Sequence, residues 1–100
     1  MEAQWRRKLR GEILMLARRF GAAGITVEGI EGIYERAGEQ RQVFLVGETL
    51  LYLADKGYVK IGLKRDEMSG VERRFVVITA AGLDLLDANI GNDPGVDIVR

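Results

Sequence analysis

Apolar residues recur at helical spacing over the first twenty positions, where Trp5, Leu9, Ile13, Leu16 and Phe20 line up on one face. Arg7, Arg10 and Arg18 then fall toward the opposite face. Gly21 and Gly24 supply the stop and the turn. Thr26 is a cap for a second helix carrying Val27, Ile30, Ile33, Tyr34 and Ala37. Gly29 and Gly32 weaken that helix, since glycine costs about 1 kcal/mol against alanine in a helix interior. Gly38 ends it, and a third helix runs from about Gln42 to Lys56, stopped by Gly57.

Beyond Gly57 the period shortens. Val59, Ile61 and Leu63 alternate with Lys60, Gly62 and Lys64, as in a strand with one buried face. Arg65 to Gly70 is polar and holds the turn pair Ser69-Gly70, and a return strand from Glu72 to Ile78 is rich in β-branched residues. Thr79 is placed to cap a last helix with Leu83, Leu86 and Ile90 inward, ended by Gly91. Asn92-Asp-Pro-Gly95 marks a turn into a short tail. No repeat, linker or low-complexity stretch interrupts the pattern. The expected organisation is one domain over residues 1–91 and a tail over 92–100.

One hundred residues suffice for one modest core, and 47% hydrophobic with 30% charged residues describe a soluble globular chain. The absence of cysteine removes disulfides, thiolate metal sites and a cysteine nucleophile. The absence of histidine removes the commonest metal ligand and general base. No metal or cofactor is therefore expected. No apolar run approaches the roughly 20 residues of a membrane span. The basic start at Met1 to Arg10 has no apolar segment behind it and does not read as a signal peptide. A cytoplasmic location fits.

The net charge of zero conceals an uneven distribution. Residues 1–20 hold six basic and two acidic groups, and residues 60–74 hold five basic and three acidic. Residues 21–59 and 75–100 are acidic on balance. The cations thus belong to the first helix and the hairpin, which bears on partners more than the zero does.

Leu50, Leu53, Gly57 and Val59, followed by the hairpin and Thr79-Ala-Ala-Gly82-Leu83, resemble the end of a winged-helix domain. The pattern is similar to that of multiple-antibiotic-resistance-type regulators, whose second wing strand also runs into a Thr-x-x-Gly-x-x-Leu helix start. It covers roughly residues 40–90, and the long dimerisation helices of those regulators have no room here. The stretch Ile78 to Leu86 followed by Asp93-Pro-Gly95-Val96 also looks like small winged-helix proteins of Mu-like prophages. The resemblance implies an α+β fold: a three-helix helix-turn-helix core, a two-stranded β-hairpin wing and a C-terminal helix. It also implies double-stranded DNA as partner, in transcription regulation of phage or prophage origin.

The surface chemistry supports that implication only in part. Placed at helical spacing, the third helix turns Val43, Val46, Gly47, Leu50, Leu53 and Ala54 toward the core. Its other side carries Phe44, Leu45, Glu48, Thr49, Tyr52, Asp55 and Lys56. A groove-reading face is normally rich in basic and amide side chains. The expected groove contacts are Arg41, Gln42 and Thr49, and the expected phosphate contacts are Lys60, Lys64, Arg65, Arg73 and Arg74. Alternating charge on a hairpin also serves simply to keep exposed strands soluble.

The competing expectation is a protein-interaction or dimerisation module without DNA binding, using Phe44, Leu45 and Tyr52 as anchors. On that reading Phe44 and Leu51 are the residues more readily absorbed by the second helix or the N-terminal segment, and Leu45 and Tyr52 point outward. Catalysis has little support. Asp84 and Asp87 share a helix side, but acids near a helix start ordinarily complement its dipole. No glycine-rich phosphate loop is present. The chain is expected not to be an enzyme.

Overall fold

The computed structural model describes residues 3–99. Met1 and Glu2 of the basic start, and Arg100 at the end of the expected tail, lie outside the described residues. Helix α1 spans Gln4–Phe20 and is followed by a short 3-10 turn at Gly21–Ala23. Then come strand β1 (Ile25–Thr26), helices α2 (Val27–Arg36) and α3 (Gln40–Asp55), strands β2 (Val59–Arg65) and β3 (Glu72–Ile78), and helix α4 (Ala80–Leu86). The fold is α+β, with a three-stranded antiparallel sheet in the order β1-β3-β2.

The expected helix ends are made by identifiable groups. Thr26 Oγ1 accepts from the Gly29 N–H at 2.9 Å, so Gly29 sits in the first turn of α2 rather than weakening its interior. At the far end Glu39 N–H reaches back to the Tyr34 carbonyl at 2.9 Å, with Gly38 between them at φ 75°. Helix α3 closes the same way, Tyr58 N–H to the Leu53 carbonyl across Gly57 at φ 80°. A left-handed residue that lets the next N–H return five positions is the usual closure of a helix. Helix α4 uses it earlier than expected. Ala88 takes φ 59° and Asn89 N–H bonds the Asp84 carbonyl at 2.8 Å, so the helix stops at Leu86. Ile90 falls beyond the helix and is exposed, Leu83 lies on its outer side and is exposed too, and Gly82, Leu85 and Leu86 are the buried residues.

Strands β2 and β3 pair from Val59↔Ile78 to Arg65↔Glu72. Ile25 and Thr26, where no strand was expected, pair with Val76 and Phe75 and add a third strand. The core lies beneath this sheet among α1, α2, α3 and α4, built on Ile13, Leu14, Ile30, Val46, Leu50, Leu53, Val76 and Leu85.

Two expectations need correction here. The first is Arg10, expected on the outer face of α1 but only 6% exposed. Its guanidinium stacks on the Tyr52 ring, 3.6 Å from the centroid, and donates to the Gly95 carbonyl at 3.0 Å. A planar cation can be buried when an aromatic face and a carbonyl replace its water. The second is the tail. Residues 92–99 lie across α1 and α3 with Asp93 and Val96 buried. Asp97 N–H bonds the Arg7 carbonyl at 3.0 Å, and Tyr58 donates to Asp93 at 2.6 Å. The stretch belongs to the core rather than following it.

Candidate interaction surface

Helix α3 is covered on two flanks, by α2 on one side and by α1 with residues 92–99 on the other. The second cover turns the helix relative to expectation. Thr49, expected outward, is 6% exposed in a narrow cleft with Leu9, Arg10 and Leu45. Leu45 and Tyr52 are half-buried against the core, Tyr52 beneath Arg10. The residues that remain outside are Gln40, Arg41, Phe44, Gly47, Glu48, Leu51 and Asp55. The apolar anchors are therefore exchanged. Phe44 is 83% and Leu51 64% exposed, and it is Leu45 and Tyr52 that are absorbed.

Gly47, expected toward the core, faces solvent, and nothing outside its own helix comes within 4 Å of the place its Cβ would take. It shares a shallow groove between α3 and the hairpin with Val27, Leu50, Leu51, Ile61 and Arg74. Leu63, further along β2 on the same sheet face, is 71% exposed. Phe44, Leu51 and Leu63 thus leave three large apolar side chains on one side of the molecule, an arrangement that marks contact surfaces.

The polar neighbours of α3 are engaged. Glu48 holds Arg6 at 2.8 Å, and Arg41 and Arg6 stack over Trp5 at 4.9 and 5.3 Å from its ring centroid. Gln42 is half-buried. Among the expected groove contacts only Arg41 stands fully on the exposed face.

Strand alternation divides the hairpin cations between its two faces. Lys60, Lys64 and Arg73 share one face with Phe75 and Val77, and Arg65 and Arg74 share the other with Leu63. Lys64 lies 5.5 Å over the Phe75 ring, and Arg73 holds Asp66 at 3.3 Å. Asp66 also accepts from the Met68 N–H in the turn, and that bond, with Ser69 and Arg73 nearby, keeps its carboxyl below the ordinary range. Lys60, Arg65 and Arg74 are exposed and make no ion pair among the described residues.

Another well-connected polar group among the described residues lies elsewhere, at Asp93. Burial of Asp93 raises its pKa. Donation from Tyr58, from the Gly95 N–H at 2.8 Å and from Lys56 at 3.3 Å outweighs burial and holds the carboxyl low. The Tyr58 phenol is pushed up to about 12, first by burial and then by Asp93. Between α1 and α2, Tyr34 donates to Glu12 at 2.9 Å, and burial with that carboxylate raises its pKa as well. Asp87 pairs with Arg18 at 3.2 Å, and Asp84 takes the Asn89 amide at 3.4 Å, which gives both acids structural partners.

Among the described residues no group of three His, Cys, Asp or Glu side chains could hold a metal ion. No helix among them is long and apolar enough to cross a membrane. Comparison with protein-family models, with curated proteins and with solved structures finds no match.

Proposed function

We propose that this chain is a small non-enzymatic winged-helix module that works by binding another protein surface through α3 and the adjoining hairpin. The order helix, short strand, helix, helix, hairpin supports the winged-helix reading, with α3 in the place of the groove-reading helix. The single observation that carries the function is the exposed side of that helix. Phe44, Gly47 and Leu51 occupy its middle beside Glu48 and Asp55, with Gln40 and Arg41 only at its start, where base and phosphate recognition calls for cations and amides along the helix. Desolvating Phe44 and Leu51 favours a partner, and the Asp55 carboxylate beside phosphates opposes DNA.

Replacing Phe44 and Leu51 together by serine tests the reading. The expected outcome is a folded chain with changed mass in solution or a changed set of captured proteins. If both readouts stay as in the parent chain, α3 is not the working face.

DNA binding is the second reading, favoured by Lys60, Arg65 and Arg74, which are exposed and make no ion pair among the described residues. It takes the form of sequence-independent attachment to phosphates by the hairpin, with α3 contributing little. Anisotropy of a labelled random duplex at about 50 and 200 mM salt tests it, since phosphate attachment weakens steeply over that span. Absence of binding at the lower salt removes the DNA reading.

A further inference from the structure

We infer that the occupant of the α3 face is a second copy of this chain, its α3 lying antiparallel across the first. This rests on the interaction reading above and names its partner. Gly47 is the first observation. Glycine in mid-helix costs stability, and neither a close neighbour nor a left-handed backbone explains it here. A partner helix does explain it, because the missing Cβ lets two backbones draw together. Gly47 lies midway between Phe44 and Leu51, the two exposed apolar residues of the helix.

The order of side chains along the exposed face is self-complementary only in the antiparallel sense. A two-fold axis crossing the helix between Gly47 and Glu48 sets Phe44 against Leu51 of the other copy, and Leu51 against its Phe44. The same axis brings Arg41, near the start of α3, beside Asp55 of the other copy, near its end. Both lie on one flank of the exposed face, so the two opposite-charge contacts form together. A parallel pairing would instead set Phe44 on Phe44, Arg41 on Arg41 and Asp55 on Asp55. Glu48 approaches its own copy at the axis, and there Arg6 already neutralises it at 2.8 Å. Each patch recognises itself, as a closed two-fold dimer requires.

Sedimentation equilibrium of the full chain over a range of concentrations tests the proposal. The expected result is a reversible dimer that Leu51→Glu weakens at least about tenfold, the scale of a lost interface anchor. Arg41→Glu and Asp55→Arg each weaken it, and the double variant, which restores both opposite-charge contacts with the signs exchanged, recovers most of the loss. Unchanged circular dichroism of each variant keeps folding out of the comparison. A chain that stays monomeric throughout overturns the proposal. So does a dimer that Leu51→Glu does not weaken, or one that the double exchange fails to rescue. If the chain is monomeric while capture still depends on Phe44 and Leu51, only the second copy is wrong. If capture is also indifferent to them, the interaction reading falls with it.

Discussion

Ala88 holds a left-handed backbone at φ 59°, a conformation that costs a residue with a Cβ roughly 1–2 kcal/mol. Ala88→Gly relieves that cost and gives back part of it through the freer unfolded chain. The expected gain is about 0.5–1 kcal/mol in urea unfolding, with the slope unchanged. Tyr58 and Asp93 make opposite pH dependences from one hydrogen bond. The folded phenol titrates near 12, above its unfolded value of about 10, so its contribution is complete below about pH 10 and is lost as pH rises through 12. Asp93 is held low, so its contribution is present above the unfolded value of about 3.9 and is lost as pH falls through its lower folded value. Urea midpoints measured across pH should fall at both ends. Tyr58→Phe should flatten part of the alkaline fall, and Asp93→Asn part of the acid fall.

At the scale of elements, what the sequence made legible were structures whose causes are local. Thr26 and Thr79 cap with their own side chains, accepting from Gly29 and Gly82, and Gly57 closes α3 by its own backbone. The hairpin pairing was equally local, but the expected buried face holds only at Val59 and Ile61, since Leu63 is 71% exposed. The face of α3 was not local, because it depends on what covers the helix, and one cover comes from residues some forty positions downstream. Period alone could not rank Leu45 against Phe44. Only the stack of Arg10 on Tyr52 beside Gly95 shows which flank is closed. Residues 92–99 illustrate the same limit, because turn-rich composition reads as a tail whether or not it docks. Gly11 reports the docking. A Cβ there would overlap the Asp97 carbonyl, so Gly11→Ala must push the segment away from α1. The expected cost is about 1–3 kcal/mol, the range for overfilling a close-fitting contact. Native-state amide exchange should show faster opening at Asp97, whose N–H is tied to Arg7.

For the whole molecule, zero net charge distributed in patches sets the two functional readings apart physically. Lys60 and Arg65 on the hairpin stand apart from Phe44 and Leu51 on α3, whereas Arg74 lines the same groove as Leu51 and links the two sets. A dimer joined through α3 covers the helix that would otherwise enter a groove and leaves the hairpin cations as the route to DNA. Phosphate attachment by the hairpin then depends on charge and salt, and it gains avidity from pairing only if both hairpins reach one duplex. Replacing Lys60, Arg65 and Arg74 together by glutamine should shift stability by no more than about 0.5 kcal/mol, since none has an ion pair to lose among the described residues. In duplex titrations the same triple change should remove any retention seen at low salt, and the uncharged change Leu51→Ser should leave the slope against salt unaltered. That slope counts phosphate contacts, and Leu51 makes none. If Leu51→Ser instead reduces the slope, α3 approaches the duplex in the bound state. The apolar side of the helix then belongs to the DNA interface, and a dimer that buries it cannot be the form that binds.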